Sequence, residues 1–389
     1  MLNIKKQISR LYLSSMLGDL SLTGAWVAIL AARGYSLVEI GFAETVFHMT
    51  SLIFEIPSGV LADLFGRKNM LIVSSIMRMI GNMIMICSGN LFMVCMSLSF
   101  HAMSYNFLSG SGDALAYDSL KAVKKEAYYE RYASNQLMLH RFCGGLSTLC
   151  AGFALFIGHK AAYGADIVIG MVQIGALIPL REIWIGNGGM NEADDSGEKE
   201  KEKAGFPGND CKKAGKRTVT GSVRKEFIEC FVTSIYFLKK EKKAMLLMSC
   251  NSLVGAVDIL LLFFLQAKLP EAGMPGWALG FALFFMEMGD ILGAKVILKC
   301  EKMRYGSVFV AAALLVLLGV AAERSGIYAV MTLGGFISAL SDDGLQVRTN
   351  AVLQDMFPSE QRATLISIES FTFSMIMIVM SPLAGIFFS

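Results

Sequence analysis

Asp19, Asp258 and Glu287 each fall near the middle of a long run of apolar residues. His48, His101 and Arg78 do the same. A carboxylate at the centre of an apolar slab needs a partner, a proton or a water-filled cavity, so such residues mark routes for ions and substrates. Carboxylates and imidazoles change charge by gaining or losing a proton, and burial tunes when they do so. The chemistry suggested is therefore movement of protons and solutes, not bond-making. At helical spacing Asn251, Gly255, Asp258 and Gln266 share one face, which reads as a wet wall. Asp19 shares a face with Tyr12, Ser15 and Trp26. A lone His48 or His101 is more often a hydrogen-bonded packing residue than a working one. Arg78 has no evident task in the sequence. Asp290 and Glu369 stand nearer the run ends and are candidate gate residues.

The elements that must position these residues are membrane helices. Apolar residues make up 54% of the 389-residue chain, too many for a soluble protein with so small a charged surface. Runs of about twenty apolar residues read as bilayer spans. Eleven are expected, at 8–31, 37–62, 69–88, 90–117, 134–158, 161–186, 243–267, 276–299, 305–322, 326–347 and 361–387. The first run is too long and polar for a cleaved signal peptide. The expected class is an all-α polytopic membrane protein.

Charge placement supports the same count. One set of loops holds Lys5, Lys6 and Arg10, then Arg67 and Lys68, then Lys121, Lys124, Lys125 and Arg131, then the run from 181 to 243, then Lys295 to Arg304, then Arg348 and Arg362. The alternate loops hold little beyond Arg33, Lys160, Lys268 and Arg324. The positive-inside rule then makes the N-terminus cytoplasmic, in a multi-pass protein of the plasma membrane. The eight cysteines show no metal-ligand spacing and read as small packing residues. No metal or cofactor is expected. Phosphate-binding glycine loops, His-x-x-x-His and nucleophile elbows are missing from the sequence, so neither an enzyme nor an ATP-driven pump is indicated.

The chain divides near its middle. Residues 1–190 hold six runs and 243–389 hold five, with 191–242 between them. Residues 191–222 are dense in both charges and read as a solvated cytoplasmic linker. In 223–242, Phe227, Phe231, Ile235 and Leu238 recur at helical steps among basic residues. That pattern suits an amphipathic helix lying on a membrane surface, or an extension of the next span.

Between the second and third runs stands Gly59-Val-Leu-Ala-Asp63-Leu-Phe-Gly66-Arg67-Lys68-Asn-Met-Leu71, a charged turn with glycines on either side of its aspartate. It resembles the signature of the major facilitator superfamily at that place. Glu55-Ile-Pro57-Ser-Gly59 resembles the lead-in of a bacterial multidrug-efflux-like branch. Ser109-Gly110-x3-Ala114-x2-Tyr117-Asp118-Ser119-Leu120 resembles that branch's helix-4 end, with Asp113 where glutamate is usual. Arg362-Ala-Thr364-Leu-Ile-Ser367 resembles its helix-11 start. A basic turn at 293–306 weakly echoes the signature in the second half.

The resemblance implies a fold of two pseudo-symmetric six-helix bundles. This chain departs from it by ending with the eleventh span, so the twelfth is expected to be missing. The resemblance further implies a conformational latch. In it Gly59 and Gly66 allow close approach, Asp63 faces the N-terminus of helix 11 near Arg362, Arg67 pairs with Asp118, and Lys68 adds charge. The lesser alternative is that Arg67 and Lys68 are topogenic charges alone. Spans 1, 4, 7 and 10 would surround a cavity and span 3 would be peripheral. Spans 2, 5, 8 and 11 would flank them, so Asp19, His101 and Asp258 fall on cavity helices and Glu287 on a flanking one; with Asp113 they are the expected substrate and proton pathway.

The expected function is secondary active transport by alternating access: proton-coupled efflux of small molecules, by a monomer in contact with lipid and with no nucleic-acid partner. A metabolite uptake permease or facilitator is the alternative within transport. A transport-inactive sensor or remnant is the alternative outside it.

Overall fold

The computed structural model describes residues 3–183, 242–300, 302–356 and 362–389. The expected linker 191–222 and the stretch 223–242, apart from Lys242, lie outside them, as do the side chains of Asp63 and Arg362. Among the described residues the regular structure is helical. The first half comprises α1 (Ile4–Asp19), α2 (Trp26–Ala32), α3 (Leu37–Phe65), α4 (Arg67–Cys87), α5 (Leu91–Leu108), α6 (Ser111–Lys121), α7 (Tyr129–Leu149), α8 (Ala151–Ile157) and α9 (His159–Leu177). The second comprises α10 (Lys242–Glu271), α11 (Gly276–Val296), α12 (Tyr305–Glu323), α13 (Tyr328–Met356) and α14 (Arg362–Phe388). Six helical stretches among the described residues are long and apolar enough to cross a membrane, or seven if the bent pair α7–α8 is one span.

Three expected spans are not single straight helices. The first is interrupted between Asp19 and Trp26, so 8–31 becomes α1 and α2. Gly18, Asp19, Ser21, Thr23 and Gly24 cluster at this interruption. The fourth breaks at Gly110, whose φ of +72° is left-handed. The fifth bends by 44° at Cys150.

Local chemistry sets the helix ends. Ser36 and Glu39 form a reciprocal capping box at the start of α3, with Ser36 N–H donating to Glu39 at 2.9 Å and Glu39 N–H to Ser36 Oγ at 3.3 Å. Asn90 caps α5 by accepting from Met93 N–H at 3.0 Å. At the turn between α3 and α4, Gly66 takes φ +89°, a conformation that favours glycine.

Each half forms its own bundle. In the first, α4 runs along α5 and α9, α3 along α5, and α1 along α9 and α7. In the second, α13 packs against α11, α12 and α10, and α10 against α14. The halves meet where α3 lies along α14, α11 crosses α7 and α8, and α2 touches α10. The end carrying the N-terminus and the Gly66 turn is here called the basic end, and the opposite one the far end. At the far end the halves are in close contact. Val27 N–H donates to Gln266 Oε1 at 3.2 Å. Gly41 lies against the Ser381 backbone and Gly280 against that of Leu149, with no room for a Cβ at either place.

Candidate functional site

The interruption of the first span creates the site. Residues 20–25 leave the helical ladder, and their freed N–H groups need partners inside an apolar environment. Asp166 on α9 supplies them. Its carboxylate accepts from Leu22 N–H at 2.8 Å, Thr23 N–H at 3.2 Å, Ser21 Oγ at 2.7 Å and Thr23 Oγ1 at 2.6 Å. The carbonyl end of α1 is met by Arg78 from α4. Its Nη1 donates to Gly18 O, and its Nη2 to Gln173 Oε1 at 2.5 Å. A guanidinium at a helix C-terminus is favourable, because the last carbonyls lack helical donors. Arg78, without a task in the sequence, thus closes one side of the break while Asp166 closes the other.

With no helix filling this level, a cavity of about 450 Å³ opens between the halves. Its first-half wall includes Glu44, His48, Arg78, Asn82, His101 and Asp166, and its second-half wall Ile259, Phe263, Phe373 and Met377. Span 3 was expected at the periphery, yet α4 contributes Arg78 and Asn82. The unwound segment does not cover the interior as a helix would, so α4 and α9 reach through to it. Glu44 and His48, one helical turn apart on α3, pair at 3.2 Å. Gly81 leaves the space in which His101 packs.

The remaining carboxylates form a second group between α10, α11 and α13. Asp258 is buried and its Oδ1 has no hydrogen-bond partner. Asp342 faces the same space, with its carboxylate near Gly255. Asp290 and Asp343 meet Arg141 of α7 at 4.0 and 3.2 Å, an ion-pair bridge across the two halves. Glu287 lies on α11 near Gly144 of α7. Asp19 stands between the two groups and pairs through Oδ1 with His140 Nδ1 at 3.1 Å. The His140 and Arg141 side chains are 62% and 44% exposed although both reach into the bundle interface, so the cleft is open at this level. Asp113 is exposed in the first turn of α6 and does not line the cavity.

At the basic end Arg67 Nη1 lies 2.5 Å from Asp118 Oδ2, tying α4 to α6 inside the first bundle. Lys68 Nζ donates to Ile178 O at 2.7 Å. Gly59 is exposed and a Cβ there would meet nothing, so no close approach occurs at that glycine. Glu182, not singled out in the sequence, caps α4 by accepting from Arg67 N–H at 2.9 Å and Lys68 N–H at 2.7 Å. Among the described residues no group of three or more His, Cys, Asp or Glu is arranged to hold a metal ion.

No family model matches the sequence, and no curated protein matches it. Solved structures do match the fold. A variant of the nucleoside transporter NupG superposes with a TM-score of 0.71 at 12% identity, covering 97% of this chain and 90% of that one. A bacterial homolog of the human lysosomal transporter Spinster, in an inward-facing and unoccupied conformation, gives 0.67 at 13% identity over 98% and 81%. A variant of the peptide transporter POT gives 0.67 at 13% over 97% and 88%. The chain has the major facilitator fold, all-helical and polytopic, with two pseudo-symmetric bundles.

Proposed function

We propose that this chain is a secondary transporter that carries a small molecule across a membrane by alternating access. The observation that carries the reading is the cavity of about 450 Å³ lined by both halves. It lies beneath close far-end contacts, with an open cleft toward the basic end. Rocking of one bundle against the other would close that cleft and open the far end. Similarity in fold to transporters of nucleosides and peptides supports membrane transport as the class.

Coupling to protons is the proposed energy source. Asp258 and Asp342 are buried, and their nearest charged neighbours are other carboxylates, so they are candidates to carry the proton. Asp19 with His140, and Glu287, are the further candidates. The Arg67–Asp118 pair and the Glu182 cap are proposed to fix the α3–α4 turn as one rigid latch piece. The basic end is proposed to face the cytoplasm of a plasma-membrane monomer, with residues 1–190 and 243–389 as the two moving domains and 191–242 as their linker. Export is the proposed direction. Uptake of a metabolite is the second reading, since rocking of the two halves about the cavity serves movement in either direction.

The test is transport in proteoliposomes with an imposed proton gradient. Asp258→Asn and Asp342→Asn should each abolish gradient-driven accumulation while leaving counterflow exchange. Full pH-dependent accumulation in both variants, and in Asp19→Asn and Glu287→Gln, would overturn proton coupling through these residues.

A further inference from the structure

The cations at the basic end differ between the two halves. In the first half the protein itself answers them. Arg67 has Asp118, Lys68 has the Ile178 carbonyl, and Lys121 and Lys125 lie over the rings of Tyr117 and Tyr128. In the second half the turn from α11 to α12 carries Lys295, Lys299, Lys302 and Arg304 against one acid, Glu301, which lies outside the described residues. All four cations are exposed, and none makes an ion pair or a side-chain hydrogen bond among the described residues. The turn is tied to α13 by Arg348, whose Nη2 donates to Met303 O at 3.3 Å.

A groove adjoins this turn. α11 and α12 both pack along α13. α11 is pinned at Gly293, where a Cβ would meet the Leu340 backbone, and α12 at Gly319, where it would meet Gly334 O. Toward the basic end Gly344 and Ala311 are too small to fill the space between α11 and α12. A groove of about 120 Å³ is left, with Leu340 and Gly344 as its floor and Val296, Cys300, Ala311 and Leu315 along its sides. Its one hydroxyl, Ser341 Oγ, donates to Ser338 O at 2.8 Å, so the surface on offer is apolar. Drug-sized ligands need roughly 300–1,000 Å³, so the space suits part of one acyl chain instead. Val296 and Met303 at the rim are exposed, as are Leu298, Val310 and Leu314 beside it, which marks this flank as lipid-facing.

We infer that this flank binds an anionic phospholipid, with one acyl chain in the groove between α11 and α12 and the headgroup phosphate among the cations of the adjoining turn. The two parts are contiguous, since Cys300 and Met303 line the groove and Lys299 and Lys302 are their immediate neighbours in the chain. A chain alone gains little, because lipid tails are as apolar as the groove. The unanswered cations therefore supply the preference, as basic residues at a membrane surface attract anionic headgroups. A zwitterionic lipid brings its own cation and leaves these charges unanswered. The inference needs only that the chain spans a bilayer, so it stands or falls apart from the transport reading.

The test is native mass spectrometry of the full chain in detergent, titrated with palmitoyl-oleoyl phosphatidylglycerol, the matching phosphatidylcholine, and inorganic phosphate. Phosphatidylglycerol should bind about tenfold more tightly than phosphatidylcholine. Lys299→Gln with Lys302→Gln should weaken phosphatidylglycerol about tenfold and leave phosphatidylcholine unchanged. Lys121→Gln with Lys125→Gln removes cations the protein already answers, and should have a much smaller effect. Ala311→Phe fills the groove from its exposed rim and should weaken phosphatidylglycerol with every charge in place. A photoreactive group on the lipid's oleoyl chain should crosslink within residues 293–315. Equal binding of the two lipids would overturn the inference, and so would equal losses from the two lysine pairs, which would indicate general surface charge. Phosphate binding as tightly as the lipid, or unchanged binding in Ala311→Phe, would also overturn it by showing that the groove takes no part. The comparison of the two lipids and the crosslink are made on the unaltered protein, so they decide the matter if a variant does not fold.

Discussion

Asp166 shows what a single side chain does when a membrane helix stops early. It accepts four hydrogen bonds from Ser21, Leu22 and Thr23, while Ser21 Oγ gives Thr23 N–H a second acceptor at 3.1 Å. Asp166→Ala should strand these donors in the interior, at about 1–3 kcal/mol for a buried group left without its partner. The expected result is a clear fall in melting temperature in detergent, with a smaller fall for Asp166→Asn, which keeps one acceptor oxygen. A wild-type melting curve for Asp166→Ala would mean the break is held by something else. The sequence placed His101 and Arg78 within apolar runs but passed over Asp166, Glu44 and Glu182. Each of the three acts on a partner distant in sequence or on a local pairing inside α3. Which amides need an acceptor depends on where the first span breaks, and only the polar segment Gly18 to Gly24 hints at that. Arg78 was visible as an anomaly because a guanidinium within a span is rare, but its partner, a helix end, has no sequence signature.

At the scale of elements, periodicity and apolar length located the helices because a bilayer leaves little choice of structure. What they could not locate were the interruptions in the first, fourth and fifth expected spans, since a break costs nothing visible in hydropathy when a neighbouring helix supplies the hydrogen bonds. Close crossings were equally hidden, because a glycine within a span reads the same whether or not a backbone lies against it. Gly59 proved open, whereas Gly280 sits against the backbone of Leu149 where α11 crosses the end of α7. Gly280→Leu should force these helices apart at the far end. Overpacking typically costs about 1–3 kcal/mol, enough to shift the ratio of far-end-closed to far-end-open states by roughly 5- to 150-fold. A cysteine at Phe263 should then react faster with a membrane-impermeant maleimide applied from the far side. An unchanged labelling rate in the Gly280→Leu background would show that this crossing does not hold the closed state.

At the scale of the whole molecule, adjacent residues of α7 face two ways. His140 pairs with Asp19 of its own bundle, and Arg141 reaches Asp343 and Asp290 of the other. The bridge sits between the tight far-end contacts and the open basic end, so it limits how far the halves can part. The Arg141 side chain is 44% exposed, and exposed pairs contribute little, about 0.5–1 kcal/mol at best. That is too small to matter for folding, yet it changes a two-state ratio by roughly two- to fivefold. Arg141→Gln should therefore leave the melting temperature nearly unchanged while widening the basic-end cleft. Spin labels at Lys125 and Lys302, one on each half, should report a longer and broader distance distribution. Exchanging the charges in an Arg141→Asp, Asp343→Arg double variant should draw the distribution back toward the original, since attraction across the gap is restored. A distribution unmoved by Arg141→Gln would show that the far-end packing alone sets the separation of the halves.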